Sequence, residues 1–106
     1  PFIQERFRIG VGDTNLRVHD AFIVKYDASA GQCQLPVHTD QGHFSITLSL
    51  NDPIQYNGGG TIFPEHEFIV RPKCGDFVAF RSCLAHGGVP ITSGVRYIVV
   101  AFLYLS

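Results

Sequence analysis

Two histidines and an aspartate in this chain have the types and spacing to bind one metal ion. One residue separates His38 from Asp40, and residues two apart on an extended strand point to the same side. His86 lies much later, followed by two glycines that permit close backbone approach. Two imidazoles and one carboxylate, with the other coordination positions open, are the ligand set of non-haem Fe(II) oxygenases. Taken alone, the His-x-Asp triplet could also be a solvated turn after Pro36.

An arginine follows the second histidine closely enough to belong to the same site. Arg96 starts a long apolar strand, whose alternation places it on one face with Ile98, Val100 and Phe102. A buried charge is costly unless it is paired, and no carboxylate lies nearby in the sequence. One interpretation is that Arg96 binds an incoming acid, since a guanidinium pairs well with a carboxylate. The other is a salt bridge to a distant residue such as Asp20 or Asp76.

Composition narrows the class of protein that could carry this site. The chain has 106 residues, 45% of them hydrophobic and 16% charged, which predicts one folded domain over 1–106. Its net charge of −1 argues against a nucleic-acid partner. No apolar run approaches the roughly 20 residues that span a bilayer, so no membrane segment is expected. Cys33, Cys74 and Cys83 form no Cys-x-x-Cys pair, which favours simple thiols over a structural zinc site.

Short strands separated by Gly, Pro and Asn must position these residues. Residues 44–50 alternate between apolar and polar side chains, and 95–104 are apolar on both faces. Further strands are predicted at 21–26, 35–37, 61–63, 67–70, 76–80 and 84–89, with turns at 57–60 and 73–76. About eight strands predict an all-β fold, a double-stranded β-helix (jelly roll, cupin-like). Residues 1–17 could begin a helix or an outer strand.

Residues 21–105 resemble the catalytic core of the 2-oxoglutarate- and Fe(II)-dependent dioxygenases, in the prolyl and lysyl hydroxylase branch. The matching stretches, in order, are FIVKY at 22–26, PVHTD at 36–40, FSITLSLN at 44–51, GGGT at 58–61, GDFVAF at 75–80, HGGVP at 86–90 and GVRY at 94–97. The arginine within GVRY is more similar to procollagen lysyl hydroxylases, since collagen-type prolyl 4-hydroxylases usually have lysine there. By contrast, Thr47 stands where lysyl hydroxylases tend to have asparagine, and Leu35 where several prolyl hydroxylases have tyrosine.

The resemblance implies a role for each matching residue. The Fe(II) ligands would be His38, Asp40 and His86. Arg96 would bind the distal carboxylate of the co-substrate 2-oxoglutarate, with Tyr26 and Thr47 nearby. Tyr26 could equally be a strand aromatic that packs in the core, and that alternative stays open.

The resemblance also implies a reaction and a set of partners. 2-Oxoglutarate and O2 would be consumed to hydroxylate an unactivated C–H bond, with ascorbate as a further cofactor. A prolyl or lysyl side chain of a protein or peptide is the expected target, and the compartment would then be the endoplasmic reticulum or secretory lumen. Alternatives are an inactive jelly-roll binding or structural module, a small-molecule hydroxylase, and a zinc or manganese protein with the same ligands. Family cores usually carry additional N-terminal helices, so we expect a fragment of a larger catalytic domain, or a partner chain that supports it.

Overall fold

The computed structural model describes residues 16–31 and 33–105, and within them the chain forms nine β-strands joined by turns and short 3₁₀ segments. The strands are β1 Leu16–Asp27, β2 Leu35–His38, β3 Phe44–Ser49, β4 Tyr56–Gly58, β5 Thr61–Phe63, β6 Phe68–Val70, β7 Phe77–Arg81, β8 His86–Gly88 and β9 Ile91–Leu105. The predicted all-β class is confirmed. No helix in the described ranges is long and apolar enough to cross a membrane.

The strands form two antiparallel sheets that enclose a pocket. The larger sheet has the order β1-β9-β3-β7, and β4 also pairs with β9. The smaller sheet has the order β2-β8-β5-β6. Strands from both sheets line the pocket between them. This is the predicted double-stranded β-helix, in which strands distant in the sequence become neighbours.

Strand β3 turns its polar face toward the pocket side of the larger sheet. Ser45, Thr47 and Ser49 are all buried, with exposed fractions of 6% or less. The apolar face is also covered at Ile46, which packs with Ala101 and Leu103 in a cluster of buried side chains. The alternation therefore predicted the strand correctly, but it did not tell which face lines the site.

Strand β4 lies where the sequence predicts a turn. Tyr56 pairs with Gly94, and Asn57 with Ser93, so β9 extends further toward its N-terminal end than predicted. The predicted turn is wrong for Asn57 and Gly58, which belong to β4, whereas Gly59 and Gly60 follow the strand with φ angles of 74° and 102°. Glycine is needed at these angles because other residues are strained there. The chain therefore makes a short strand immediately before the glycine turn.

The remaining predictions concern the first residues and the cysteines. Residues 1–15 lie outside the described part of the chain, while residues 16 and 17 begin β1, an outer strand of the larger sheet. Cys33, Cys74 and Cys83 are free thiols, and the latter two are exposed. This agrees with the interpretation of all three as simple thiols.

Candidate metal centre

Neighbouring strands of the smaller sheet bring the two predicted histidines together. His38 ends β2 and His86 begins β8, and the two residues are partners in the strand register. Asp40 lies just beyond β2, where its backbone N–H donates to the carbonyl of Ser82 at 2.9 Å. One nitrogen or oxygen of each of His38, Asp40 and His86 lies within 4.8 Å of the others. The fold therefore gathers all three predicted residues at one point.

The hydrogen bonds of the two imidazole rings fit a metal between them. His38 Nδ1 is 2.7 Å from the Pro36 carbonyl oxygen, and His86 Nδ1 is 2.8 Å from that of Leu84. A carbonyl oxygen only accepts, so each Nδ1 carries a proton, and Nε2 is the ring nitrogen left to bind a metal. Those Nε2 atoms face the Asp40 carboxylate oxygens at 3.2 and 3.1 Å. At these distances the three groups can bind one ion together, and this donor set suits a divalent metal.

A buried pair of serine hydroxyls orients the carboxylate. Ser45 Oγ donates to Asp40 Oδ2 at 2.7 Å and lies 2.9 Å from Ser82 Oγ. Ser45 and Ser82 are 0% and 1% exposed, and the Asp40 side chain is 4% exposed. The sequence predicts neither serine as a site residue. The polar face of β3 was the signal that could have found Ser45.

Arg96 is fully buried, and no acidic residue in the described ranges pairs with it. Its guanidinium donates to the Gly60 carbonyl at 3.0 Å and to Thr61 Oγ1 at 3.3 Å. No carboxylate of the described residues forms an ion pair with it, so neither Asp20 nor Asp76 is the salt-bridge partner. Burial lowers the pKa of Arg96, which expresses the cost of keeping this cation away from water. An anion that enters the site would offset that cost.

Tyr26 lies opposite Arg96 in the β1–β9 register, and the guanidinium is 5.1 Å from the centre of its ring. Burial raises the pKa of Tyr26, and the positive charge of Arg96 acts against that rise. The ring packs against β8 at Gly88, where a Cβ atom would lie 2.7 Å from the tyrosine hydroxyl. Glycine after His86 thus permits the close approach of the two sheets. The predicted core packing of Tyr26 and its place beside Arg96 are both observed.

One pocket connects the metal cluster with the surroundings of Arg96. It encloses about 410 Å³, part of it open to solvent, and it is lined by all three members of the His-Asp-His cluster. Tyr26, Thr47 and Thr61 also line it, and two of these, Tyr26 and Thr61, contact Arg96. Most other lining side chains are apolar: Phe22, Val24, Leu35, Ile98, Val100 and Phe102. The sequence analysis missed Thr61 as a site residue, although it ends the glycine-rich stretch.

The other histidines lie outside this cluster. His19, His43 and His66 are exposed. The rings of His19 and His43 pack edge-on against Tyr104, at centroid distances of 5.0 and 5.2 Å. His43 Nδ1 also accepts a hydrogen bond from the backbone N–H of Leu105. His43 therefore lies at the surface.

Comparison with known proteins identifies relatives of the chain. A procollagen lysyl hydroxylase and glycosyltransferase of Acanthamoeba polyphaga mimivirus is 34% identical over 108 residues, which cover 97% of this chain and 12% of that protein. Procollagen-lysine,2-oxoglutarate 5-dioxygenase 1 of Gallus gallus is 36% identical over 87 residues, which cover 78% of this chain and 12% of the relative. The chain belongs to the prolyl and lysyl hydroxylase superfamily of 2-oxoglutarate-dependent dioxygenases. It spans about an eighth of the length of these relatives.

Two solved structures have a fold similar to that of this chain. The viral collagen prolyl hydroxylase of Paramecium bursaria Chlorella virus-1, solved with 2-oxoglutarate, matches with a TM-score of 0.67 and 21% identity. That match covers 84% of this chain and 60% of the viral protein. EvdMO1 matches with a TM-score of 0.64 and 19% identity, over 81% of this chain and 26% of its own. No protein-family model matches the chain. The predicted resemblance to the superfamily is confirmed.

Proposed function

We propose that this chain is an Fe(II)- and 2-oxoglutarate-dependent dioxygenase domain that hydroxylates an unactivated C–H bond in a prolyl or lysyl side chain. One observation carries the proposal. Two imidazole Nε2 atoms and one carboxylate converge in a pocket where Tyr26 and Thr61 contact a buried guanidinium that has no acidic partner among the described residues. The collagen-modifying relatives support a protein or peptide substrate.

His38, Asp40 and His86 would bind Fe(II) from one side of the ion. Bound iron would supply the redox chemistry that couples 2-oxoglutarate and O2 to C–H oxidation. His38 and His86 are prepared for this role, because the carbonyls of Pro36 and Leu84 keep the proton on Nδ1. Asp40 supplies the negative charge, and Ser45 keeps its carboxylate in orientation.

Arg96 would pair with the distal carboxylate of 2-oxoglutarate. The guanidinium has five N–H donors and gives two hydrogen bonds to described groups, so donors remain for an incoming acid. Tyr26 and Thr47 line the same pocket and would contact the co-substrate along its length. The apolar lining would exclude water and strengthen these charge interactions.

The target side chain of the substrate would enter the pocket at its exposed end. Leu35 and Phe22 line the pocket and are 42% and 41% exposed, so they would form part of an apolar mouth for the target side chain. Segments that flank this chain in a larger catalytic domain, or a partner chain, would complete the substrate groove. Ascorbate would serve as the reductant that keeps the iron in its ferrous state.

Mass spectrometry of peptide products tests the proposed function. Collagen-like peptides with lysine or proline as the target are incubated with the chain, Fe(II), 2-oxoglutarate and ascorbate. We expect succinate together with a gain of one oxygen atom on one of the two peptides. If no succinate forms, either with or without added peptide, the result would favour an inactive binding module. Succinate without peptide oxidation would favour a small-molecule hydroxylase.

Replacing Ser45 with alanine is expected to weaken metal binding without abolishing it. The variant loses the hydroxyl that donates to Asp40 Oδ2, so the carboxylate is less firmly oriented. Loss of such a partner typically lowers metal affinity by about 10–100-fold. Titration with Fe(II) or Mn(II) measures the change.

The matched control is Ser49→Ala, on the same strand and face. Ser49 is 2% exposed, and its hydroxyl donates to the Asn51 carbonyl rather than to Asp40. This variant should keep the wild-type metal affinity. Equal affinities for Ser45→Ala and Ser49→Ala would contradict the orienting role of Ser45.

A further inference from the structure

Two tyrosines on opposite sides of β9 flank Arg96. Tyr26 of β1 is its direct partner in the register. On the other side of β9, Tyr56 of β4 pairs with Gly94. Gly94 and Arg96 are two residues apart on the strand and share a face, so Tyr56 is a diagonal neighbour of Arg96. The arginine therefore lies between two phenol side chains.

The Tyr56 ring is held firmly in place. It is 3% exposed and packs in one core cluster with Tyr26, Ile91 and Ile98. On one side it lies against Gly59, where a Cβ atom would be 2.7 Å from the ring carbon Cε1. The Arg71 guanidinium lies 5.7 Å from the ring centre. A ring confined in this way presents its hydroxyl at a fixed point.

The hydroxyl of Tyr56 is buried, and no group in the described part of the chain accepts its proton. It is close to Arg96, because Tyr56 is among the groups that raise the pKa of that guanidinium. A buried hydroxyl without a partner is unfavourable, and native structures contain few of them. Arg96 likewise has no acidic partner within residues 16–31 and 33–105. A carboxylate would satisfy both groups, because it accepts hydrogen bonds from guanidinium and phenol alike.

We propose that the Tyr56 hydroxyl donates a hydrogen bond to the distal carboxylate of the 2-oxo acid that Arg96 binds. Tyr56 would then be a specificity-determining residue, which favours a co-substrate that ends in a carboxylate over one that ends in a methyl group. The inference rests on the proposed function, which makes 2-oxoglutarate the co-substrate. It adds to that function a second donor, from a strand that the sequence did not predict.

Calorimetric titration of the full chain loaded with Mn(II) tests this inference without requiring turnover. Two acids are compared: 2-oxoglutarate, and 2-oxopentanoate, which has a methyl group in place of the distal carboxylate. In Tyr56→Phe we expect the Kd for 2-oxoglutarate to rise by about 10–100-fold, the usual effect of a lost hydrogen bond to a charged group. The Kd for 2-oxopentanoate should stay unchanged. Tyr97→Phe, which removes a phenol hydroxyl at a 37% exposed position, is the matched control and should bind both acids normally.

Thermal unfolding of the ligand-free variant separates binding from folding. Tyr56→Phe removes an unpaired buried hydroxyl, so its Tm should equal or exceed that of the wild type. An unchanged Kd for 2-oxoglutarate would overturn the inference and leave Tyr56 as a packing residue. An equal rise in the Kd of both acids would overturn it as well. So would a lowered Tm together with loss of binding of both acids. A wild-type protein that binds Mn(II) but not 2-oxoglutarate would overturn the proposed function and this inference together.

Discussion

Replacing Asp40 with alanine is expected to abolish 2-oxoglutarate turnover and metal binding. The two imidazole Nε2 atoms both face this carboxylate, which is the anionic member of the cluster. Without it, two neutral imidazoles would remain, and nothing in the cluster would offset the charge of a divalent ion. Loss of a residue that merely orients a ligand costs about 10–100-fold in affinity, so loss of the ligand should cost roughly a thousandfold or more. Succinate release and Fe(II) titration measure the two effects.

The control for this experiment is Asp76→Ala, which removes an exposed carboxylate just before β7. It changes the net charge equally and leaves the cluster intact, so its succinate release should match the wild type. Normal succinate production by Asp40→Ala would contradict the assignment of the metal site. Loss of activity in both variants would point to an effect of charge or folding instead.

Replacing Arg96 with methionine is expected to remove the affinity for 2-oxoglutarate and leave metal binding intact. The guanidinium is 1% exposed and contacts Gly60, Thr61 and Tyr26, but none of the three proposed ligands. Loss of one partner of a buried charge pair costs about 2–5 kcal/mol, which is roughly 30- to several thousandfold in Kd. Calorimetric titration of the Mn(II)-loaded variant with 2-oxoglutarate gives the value.

Arg81→Met serves as the control, because Arg81 is an exposed arginine at the end of β7. It should bind both metal and acid as the wild type does. Unchanged 2-oxoglutarate affinity in Arg96→Met would mean that the guanidinium only supports the Gly60 carbonyl and Thr61. Together, the Asp40 and Arg96 variants separate the two halves of the site, since the first loses the metal and the second only the acid.

The meeting of His38, Asp40 and His86 could be predicted because it follows from local spacing and one strand pairing. The His38-x-Asp40 spacing holds two of the groups together, and the β2–β8 pairing brings His86 to them. The alternation in β3 likewise predicted a strand correctly. These features depend on the period of a strand, which a single sequence displays.

Other features depend on contacts that the sequence does not display. Asn57 and the following glycines have the composition of a turn, yet Tyr56 and Asn57 pair with the start of β9. The link from Ser82 through Ser45 to Asp40 joins residues from three separate parts of the chain. The choice between an incoming acid and a salt bridge at Arg96 also needed the structure, which brings no carboxylate of the described residues to the guanidinium.

The pairing of β1 with β9 has a consequence for how the chain reaches this fold. Leu16 pairs with Leu105 and Asp27 with Val95, so the first and last described strands are neighbours in the larger sheet. On a ribosome, β1 would wait for β9 before it could pair, and its unpaired edge would be open to aggregation meanwhile. Such high contact order predicts folding on the order of milliseconds to seconds, as in other β-sandwich proteins. Because Arg96 lies on β9 and Tyr26 on β1, the proposed acid-binding site would be completed only at this last step.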